Sequence, residues 1–204
     1  MSLTQGIVGV QNNADGSTPV TQQYDQQGAG LVTEFHPRYY QQTVRGNVFS
    51  LNTQGTAVTT TAALATTWTG LGISNPAGSG VNLVLMKFSA TQFAAGAAGT
   101  IGLLGGIGVL SASLTPQSRN IGSGGVSKAR GSASDTISTP LLITTFGSVG
   151  SLATTGYGLE PGIFVDLEGS IVIPPGSFVG TYTSVITTSA LNFGFTWEEV
   201  PIIR

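Results

Sequence analysis

The stretch LNFGFTWEEV, residues 191–200, is the part of the sequence that decides the fold. Large apolar side chains stand at every second position, and small or polar side chains stand between them. This period of two is typical of a β-strand that lies with one face on a hydrophobic core. We therefore predict one long strand that ends with Glu198 and Glu199 in solvent. The core-facing residues would be Leu191, Phe193, Phe195 and Trp197, and the opposite face would carry Asn192, Gly194, Thr196 and Glu198.

From Asn47 onward, further apolar or β-branched runs alternate with clusters of Gly, Pro, Asn and Ser, a pattern typical of sandwiches and barrels. The run VNLVLMKFSA is apolar on both faces, which predicts a central, doubly covered strand. Other candidate strands are NVFSLN, AVTTTAAL, TWTGLGI, PLLITTFGS, GIFVDL, GSIVIP and SFVGTYTSVI. No long amphipathic helix is evident. The sequence predicts an all-β antiparallel two-sheet sandwich, and we expect the jelly-roll form of it, which is common at this size.

The composition changes near Arg45, because the preceding residues are rich in Gln, Asn, Asp and Gly and lack a sustained period. We predict an extended N-terminal arm over residues 1–45 and a β-sandwich domain over residues 46–204. Aromatic side chains in such an arm serve to anchor it to its own domain, a sister subunit or a larger assembly. The predicted contact residues are Phe35, His36, Arg38, Tyr39, Tyr40 and Arg45.

Charged side chains are scarce: the chain has 204 residues with 7 basic, 9 acidic, 30 Gly and no Cys. A charged fraction of 8% is far below the roughly 25% of ordinary soluble domains. Such an uncharged polar surface suits contact with neighbouring subunits. The scattered basic residues offer no stripe for phosphates, so direct nucleic-acid binding is not expected. Without Cys, disulfides and thiolate metal sites are excluded.

The N-terminus lacks the pattern of a secretory signal, which predicts an unprocessed cytosolic product.

The uncharged tract from Phe93 to Ser113 is long enough for a membrane-spanning helix, yet a Gly recurs at every third position from 96 to 108. Glycine in a helix interior costs up to about 1 kcal/mol relative to alanine. We therefore expect no membrane insertion, and we predict a buried strand or a Gly-rich segment packed closely on another backbone. The pattern leaves strand and loop as open alternatives.

Residues that could carry chemistry are few. Because His36 has no evident partner, a surface or interface role fits it better than base catalysis. Asp166 and Glu168 would share one face of a strand, near Glu160. A glycosidase pair and a weak cation site stay open as alternatives, although solvent-facing acids are the ordinary case. The segment IGSGGVSKARGSAS lacks the G-K-[ST] ending of a phosphate-binding loop and is predicted as a mobile loop at a surface or interface. We predict no catalytic residues, no cofactor and no metal.

Several strings together resemble a family of tailed-bacteriophage virion structural proteins. They are FHPRYYQQTVRGNVFSLNTQ, TWTGLGISNPAGSGVNLVLMKFS, FVDLEGSIVIPPGSF and TWEEVPI, and they extend from about Phe35 to Ile202. The resemblance implies a non-enzymatic particle component. The leading role is a capsid decoration or cement protein, made in the bacterial host cytoplasm and bound to the major capsid protein on the virion surface. The alternative is a tail or head-fibre component that binds host glycans, with Tyr157 or Tyr182 as stacking platforms.

A decoration protein stabilises a shell through many modest contacts repeated by symmetry. An extended arm would add backbone hydrogen bonds to the sheet edge of a neighbour. Cyclic trimers match the local three-fold points of icosahedral shells, so we predict a homotrimer with Gly- and Ala-rich surfaces near its axis.

Overall fold

The structure, a computed structural model, describes residues 38–53, 58–92, 94, 96–151 and 162–202. The chain forms two compact units, Met1–Tyr39 and Tyr40–Arg204. Only Arg38 and Tyr39 of the first unit are described, so the predicted arm and its boundary at residue 45 stay a prediction. Residues 40–44 form a one-turn helix, where the sequence predicted extended backbone.

The second unit is built almost entirely of strands. Its elements are α1 (Tyr40–Val44), β1 (Val48–Asn52), β2 (Val58–Thr60), β3 (Thr67–Asn75), β4 (Val81–Gln92), β5 (Gly99–Ile107), β6 (Gln117–Ser118), β7 (Arg130–Thr136), β8 (Leu141–Val149), β9 (Ile163–Ile173), β10 (Ser177–Thr183) and β11 (Thr187–Pro201).

The strands form two antiparallel sheets that pack as a sandwich, which confirms the predicted fold class. The six-stranded sheet has the order β6-β1-β11-β4-β9, and β2 pairs with the first part of β11. The five-stranded sheet has the order β7-β3-β10-β5-β8. The edge strands on one side are β6 and β7, and those on the other side are β9 and β8.

The strand pairs are nested along the chain. The outermost pair is β1 with β11, followed by β3 with β10, β4 with β9, and β5 with β8. Successive pairs alternate between the two sheets. Strands β6 and β7 belong to the connection between β5 and β8, and they form the edges of the sheets beside β1 and β3. The path is that of one long antiparallel hairpin wound into two layers.

The main core lies between the sheets and receives side chains from both of them. The predicted alternation of β11 is confirmed, because the four core-facing residues are buried and the residues between them are half-exposed. Trp197 is fully buried and stacks on Phe49, with ring centroids 6.4 Å apart. This burial accounts for the central position of β11 in its sheet.

Trp68 centres a second apolar cluster, which includes Leu104, Leu110, Ile137 and Phe178. Its indole lies against Gly72 and Gly180, which are cross-strand neighbours on β3 and β10. A Cβ on either glycine would approach the indole to 2.8 or 2.9 Å, closer than side chains allow. The indole N–H donates to the Thr181 carbonyl oxygen at 2.9 Å. Glycine is therefore required in β3 and β10 so that the indole can pack flat.

The Gly-rich tract forms a strand where the sequence left strand and loop open. Residues 99–107 are β5, which lies between β10 and β8. A Cβ on Gly102 would collide with the Thr144 carbonyl oxygen at 2.2 Å, so the close backbone packing that we predicted is confirmed. No helix in the described part of the chain has the length and hydrophobicity needed to cross a membrane.

Three sequence predictions need correction. Glu199 is not in solvent: it is 7% exposed and is hydrogen-bonded to the loop that precedes β7. The predicted loop around Arg130 is a strand from that residue to Thr136, because it pairs with β3. Strand β4 is internal to its sheet as predicted, but its outer face is only partly covered, since Lys87 is exposed.

Two of the strings that carry the resemblance meet at Asn75. Its side-chain amide donates to the carbonyl oxygens of Val81 at 2.8 Å and Ile173 at 2.9 Å. The backbone carbonyl oxygen of Asn75 accepts a hydrogen bond from the backbone amide of Gly176 at 2.7 Å. The strings NPAGSGVNLVL and DLEGSIVIPPG are thus joined by one buried side chain at the same end of the sandwich, which gives them a structural role.

Candidate functional site

A shallow groove of about 460 Å³ lies on the outer face of the six-stranded sheet. Strand pairing places its side chains in two rows that cross β1, β11, β4 and β9. The first row is Ser50, Thr196, Lys87 and Asp166, and the second row is Asn52, Gly194, Ser89 and Phe164. All eight residues line the groove, and Arg119, directly after β6, lines it as well.

Gly194 gives the groove its depth. It stands between Asn52 and Ser89 in the second row, so the middle of the sheet has no side chain there. An added Cβ would lie 2.7 Å from the Ser89 hydroxyl oxygen. The depression continues along the strands into a second hollow of about 380 Å³, which Thr91 and Asn192 also line. A glycine in the polar phase of β11 therefore creates a concave surface on an otherwise pleated sheet.

Phe164 borders the groove at the β9 side and is 74% exposed. Every other phenylalanine within the described ranges is buried or half-buried. Burying a phenylalanine side chain is favourable by about 1.5–3 kcal/mol, so exposure forfeits that gain. The absence of a side chain at Gly162 leaves space for the ring, since a Cβ there would lie 2.9 Å from it. The ring is therefore available as a flat apolar surface beside polar groups.

The groove carries two cations and one carboxylate. Lys87 and Asp166 are cross-strand partners on β4 and β9, and Arg119 lies towards the opposite edge. The lining thus has a net charge of +1 at neutral pH, although the whole chain has −2. Glu198 stands further along the same face of β11, and burial raises the pKa of its carboxyl group. The charge distribution favours an anionic ligand in the groove.

The predicted arm contacts are described only in part. Phe35 and His36 lie outside the described residues. The Arg38 guanidinium carbon stands 5.3 Å from the centre of the Tyr39 ring, a cation–π geometry. Tyr40 begins α1 and Arg45 follows it, and both are exposed. Their role in a contact with another subunit stays a prediction.

Asp166 and Glu168 do not form a simple pair on a regular strand. Glu168 has a φ of 48° and Gly169 has a φ of 81°, so β9 bulges at this point. The Glu168 amide donates to the Asp166 carboxylate at 3.2 Å, which closes a local turn. Asp166 lines the groove, whereas Glu168 is not part of its lining. Glu160 and Tyr157 lie outside the described ranges.

Two further alternatives from the sequence concern Tyr182 as a sugar-stacking residue and a metal site. Tyr182 is half-buried against the Trp68 cluster, so only part of its ring faces solvent. Within residues that the structure describes, no group of three or more His, Asp or Glu side chains could hold a metal ion.

Most of the groove was not predicted from the sequence. Lys87, Ser89 and Phe164 lie in strands that the sequence predicts, but the sequence predicts no role for them or for Arg119. The sequence contains one signal: by strand alternation, Phe164 shares a face with Asp166, while Val165 and Leu167 share the opposite face. A large aromatic residue in the polar phase of a strand is a candidate for exposure.

No protein-family model, no curated protein and no solved structure matches this chain.

Proposed function

We propose that this chain is a non-enzymatic structural protein of a tailed-phage virion, a capsid decoration protein that bridges capsid subunits on the head surface. The resemblance of four sequence strings to that class supports the proposal, as does the low charge of the chain. The antiparallel two-sheet sandwich adds a third support, because the jelly rolls of viral capsid domains are sandwiches of this general kind.

The observation that carries the proposal is the edge formed by β8. This nine-residue strand ends the five-stranded sheet, and among the residues that the structure describes it pairs with β5 alone. Residues 136–159 contain no charged side chain. Leu141 is 70% exposed, and Leu142 and Ile143 are also exposed.

Free edges of soluble proteins are normally blunted by charges, proline or shortness, because they otherwise recruit further strands. Strand β8 has bulges but lacks protecting charge, so it suits addition of a strand from a neighbouring subunit. We assign that strand to the predicted arm of a second copy or to the major capsid protein. In a homotrimer, each arm would extend onto the β8 edge of the next copy, which forms a closed ring.

The test is immunogold electron microscopy of purified particles from the phage that encodes this chain, with label counted separately on heads and tails. We expect dense label over the heads. Label confined to tails, with bare heads, would contradict the decoration role.

The edge itself can be tested by rebinding of recombinant protein to particles that lack it. Leu141→Lys should weaken binding strongly, because it places a charge on the edge. Ile121→Lys is the matched control, since Ile121 is 95% exposed but lies in the loop between β6 and β7. Equal binding of the two variants would show that β8 is not the contact.

The second candidate function is a tail or head-fibre component that binds host glycans. The groove beside Phe164 is the observation that favours it, because aromatic rings bordered by polar groups suit sugar rings. Immunogold label on tails, with bare heads, would support this function over capsid decoration.

A further inference from the structure

We propose that the groove on the six-stranded sheet is a binding site for an acidic oligosaccharide. This inference concerns the groove alone and does not rest on the assignment to a virion. Three features of the site carry it: the exposed ring of Phe164, the polar rows across the sheet, and the excess of positive charge.

Phe164 supplies the apolar contact. Sugars present C–H faces that pack on aromatic rings, while their hydroxyl groups stay available for hydrogen bonds. The ring is positioned by the regularly paired part of β9 before its bulge at Glu168, since Phe164 is the direct cross-strand partner of Ser89. A rigid aromatic group on a strand loses little conformational entropy when a ligand binds.

The polar rows supply directional contacts. Hydroxyl groups of Ser50, Ser89 and Thr196 and the amide of Asn52 line the groove. These neutral donors and acceptors are the complement that sugar hydroxyl groups require. A site with a single deep pocket would suit a compact ligand, but this lining is an open trough across the sheet.

The dimensions favour several linked sugars. Neighbouring strands are about 4.8 Å apart, so the rows extend about 14 Å from β1 to β9. Arg119 follows β6, one strand further from Phe164. A ligand that contacts both Phe164 and Arg119 must therefore be longer than one sugar ring.

The charges favour an acidic sugar. Arg119 presents a planar guanidinium group, which matches a carboxylate in two parallel hydrogen bonds. Lys87 adds a second cation, and Asp166 beside it offsets only one of the two. We assign the carboxylate of the ligand to the Arg119 side of the groove and a sugar ring to Phe164.

The test is a titration, by calorimetry and by chemical shifts, with matched acidic and neutral sugars. Sialyllactose is compared with lactose, and oligogalacturonate is compared with a neutral galactan oligomer. We expect saturable binding of an acidic member with a Kd in the millimolar range or tighter. Its neutral counterpart should bind at least about tenfold more weakly. No binding by any member, or equal binding by both members of each pair, would overturn the proposal.

Variants locate the site. Phe164→Ala should weaken binding about tenfold or more, and Phe164→Tyr should retain it, because the ring is preserved. Val172→Ala is the matched control, since Val172 is exposed on the same strand but does not line the groove. Arg119→Ala should remove the preference for acidic over neutral sugars. Unchanged binding by Phe164→Ala would contradict the proposal.

The mass of each variant in solution separates a ligand site from a subunit contact. The wild-type protein and Phe164→Ala should have the same oligomeric state by light scattering. A smaller mass for Phe164→Ala would show that the groove is covered by another copy, and that outcome would overturn the proposal.

Discussion

The carboxylate of Glu199 accepts a hydrogen bond from the backbone amide of Lys128 at 2.8 Å. The Ser127 hydroxyl group donates to the same carboxylate oxygen, and the Ala129 amide donates to the Ser127 hydroxyl oxygen at 3.0 Å. One buried acid on β11 thus holds the end of the Gly-rich loop that leads into β7. The segment is joined to the sandwich by this carboxylate, although its composition suggested a mobile loop.

Replacing Glu199 should release this loop. We expect Glu199→Ala to lower the free energy of unfolding by about 2–3 kcal/mol, because hydrogen bonds to a charged group are lost and two donors are left without their acceptor. Glu198→Ala is the matched control and should change stability by less than about 0.5 kcal/mol. Urea denaturation measures both variants. Equal effects of the two substitutions would contradict the role assigned to Glu199.

Trp197 should be one of the residues on which stability depends most. Trp197→Ala should cost about 3–5 kcal/mol, because the indole is fully buried between the sheets and its removal leaves a cavity. Thr196→Ala, on the outer face of the same strand, should cost far less. Chemical denaturation followed by circular dichroism gives both values. A loss below about 1 kcal/mol for Trp197→Ala would mean that the core relaxes around the gap.

Gly180 should not tolerate even one added methyl group. Gly180→Ala should destabilise the protein by about 1–3 kcal/mol, because the new Cβ would press on the buried Trp68 indole. Gly147→Ala on β8 is the matched control, since its Cβ would meet only Ile163 at an ordinary 3.4 Å. Thermal unfolding compares the two variants. If both are neutral, the indole is not confined as the structure indicates.

Asp135 should give the protein an acid-sensitive contact. Burial raises the pKa of its carboxyl group, but hydrogen bonds from Ser111, Thr136 and Ser132 together outweigh burial and lower the pKa below its usual value. A lowered folded-state pKa means that the ionised group stabilises the fold above the unfolded-state pKa, near 3.9, and that this contribution is lost as pH falls through the folded-state pKa.

The measurement is urea unfolding of wild type and Asp135→Asn across the acidic range. We expect the wild type to be more stable at neutral pH and the difference to shrink at low pH. For Glu198→Gln we expect the opposite sign: the wild type should lose stability relative to the variant as pH rises. The reason is that a raised pKa makes ionisation of Glu198 unfavourable in the folded state. A pH-independent difference for Asp135→Asn would show that its carboxylate is not held in this way.

The class of fold and the positions of most strands followed from the sequence alone. The alternation in residues 191–200 is a local property of the chain, because neighbouring side chains of a strand necessarily point to opposite faces. The same reasoning placed Trp197 in the core. It misplaced Glu199, which stands in the buried phase of the strand, because its charge argued for solvent. Only the tertiary structure provides the amide of Lys128, which makes that burial favourable.

The groove could not be read from the sequence. Asn52, Gly194, Ser89 and Phe164 are far apart along the chain, and they form one row only because β1, β11, β4 and β9 pair in a particular register. A shift of one residue in any of these pairings would exchange the inner and outer faces of that strand. Side-chain alternation is thus written in the local sequence, whereas the register that assembles a surface is decided by long-range packing of the two sheets.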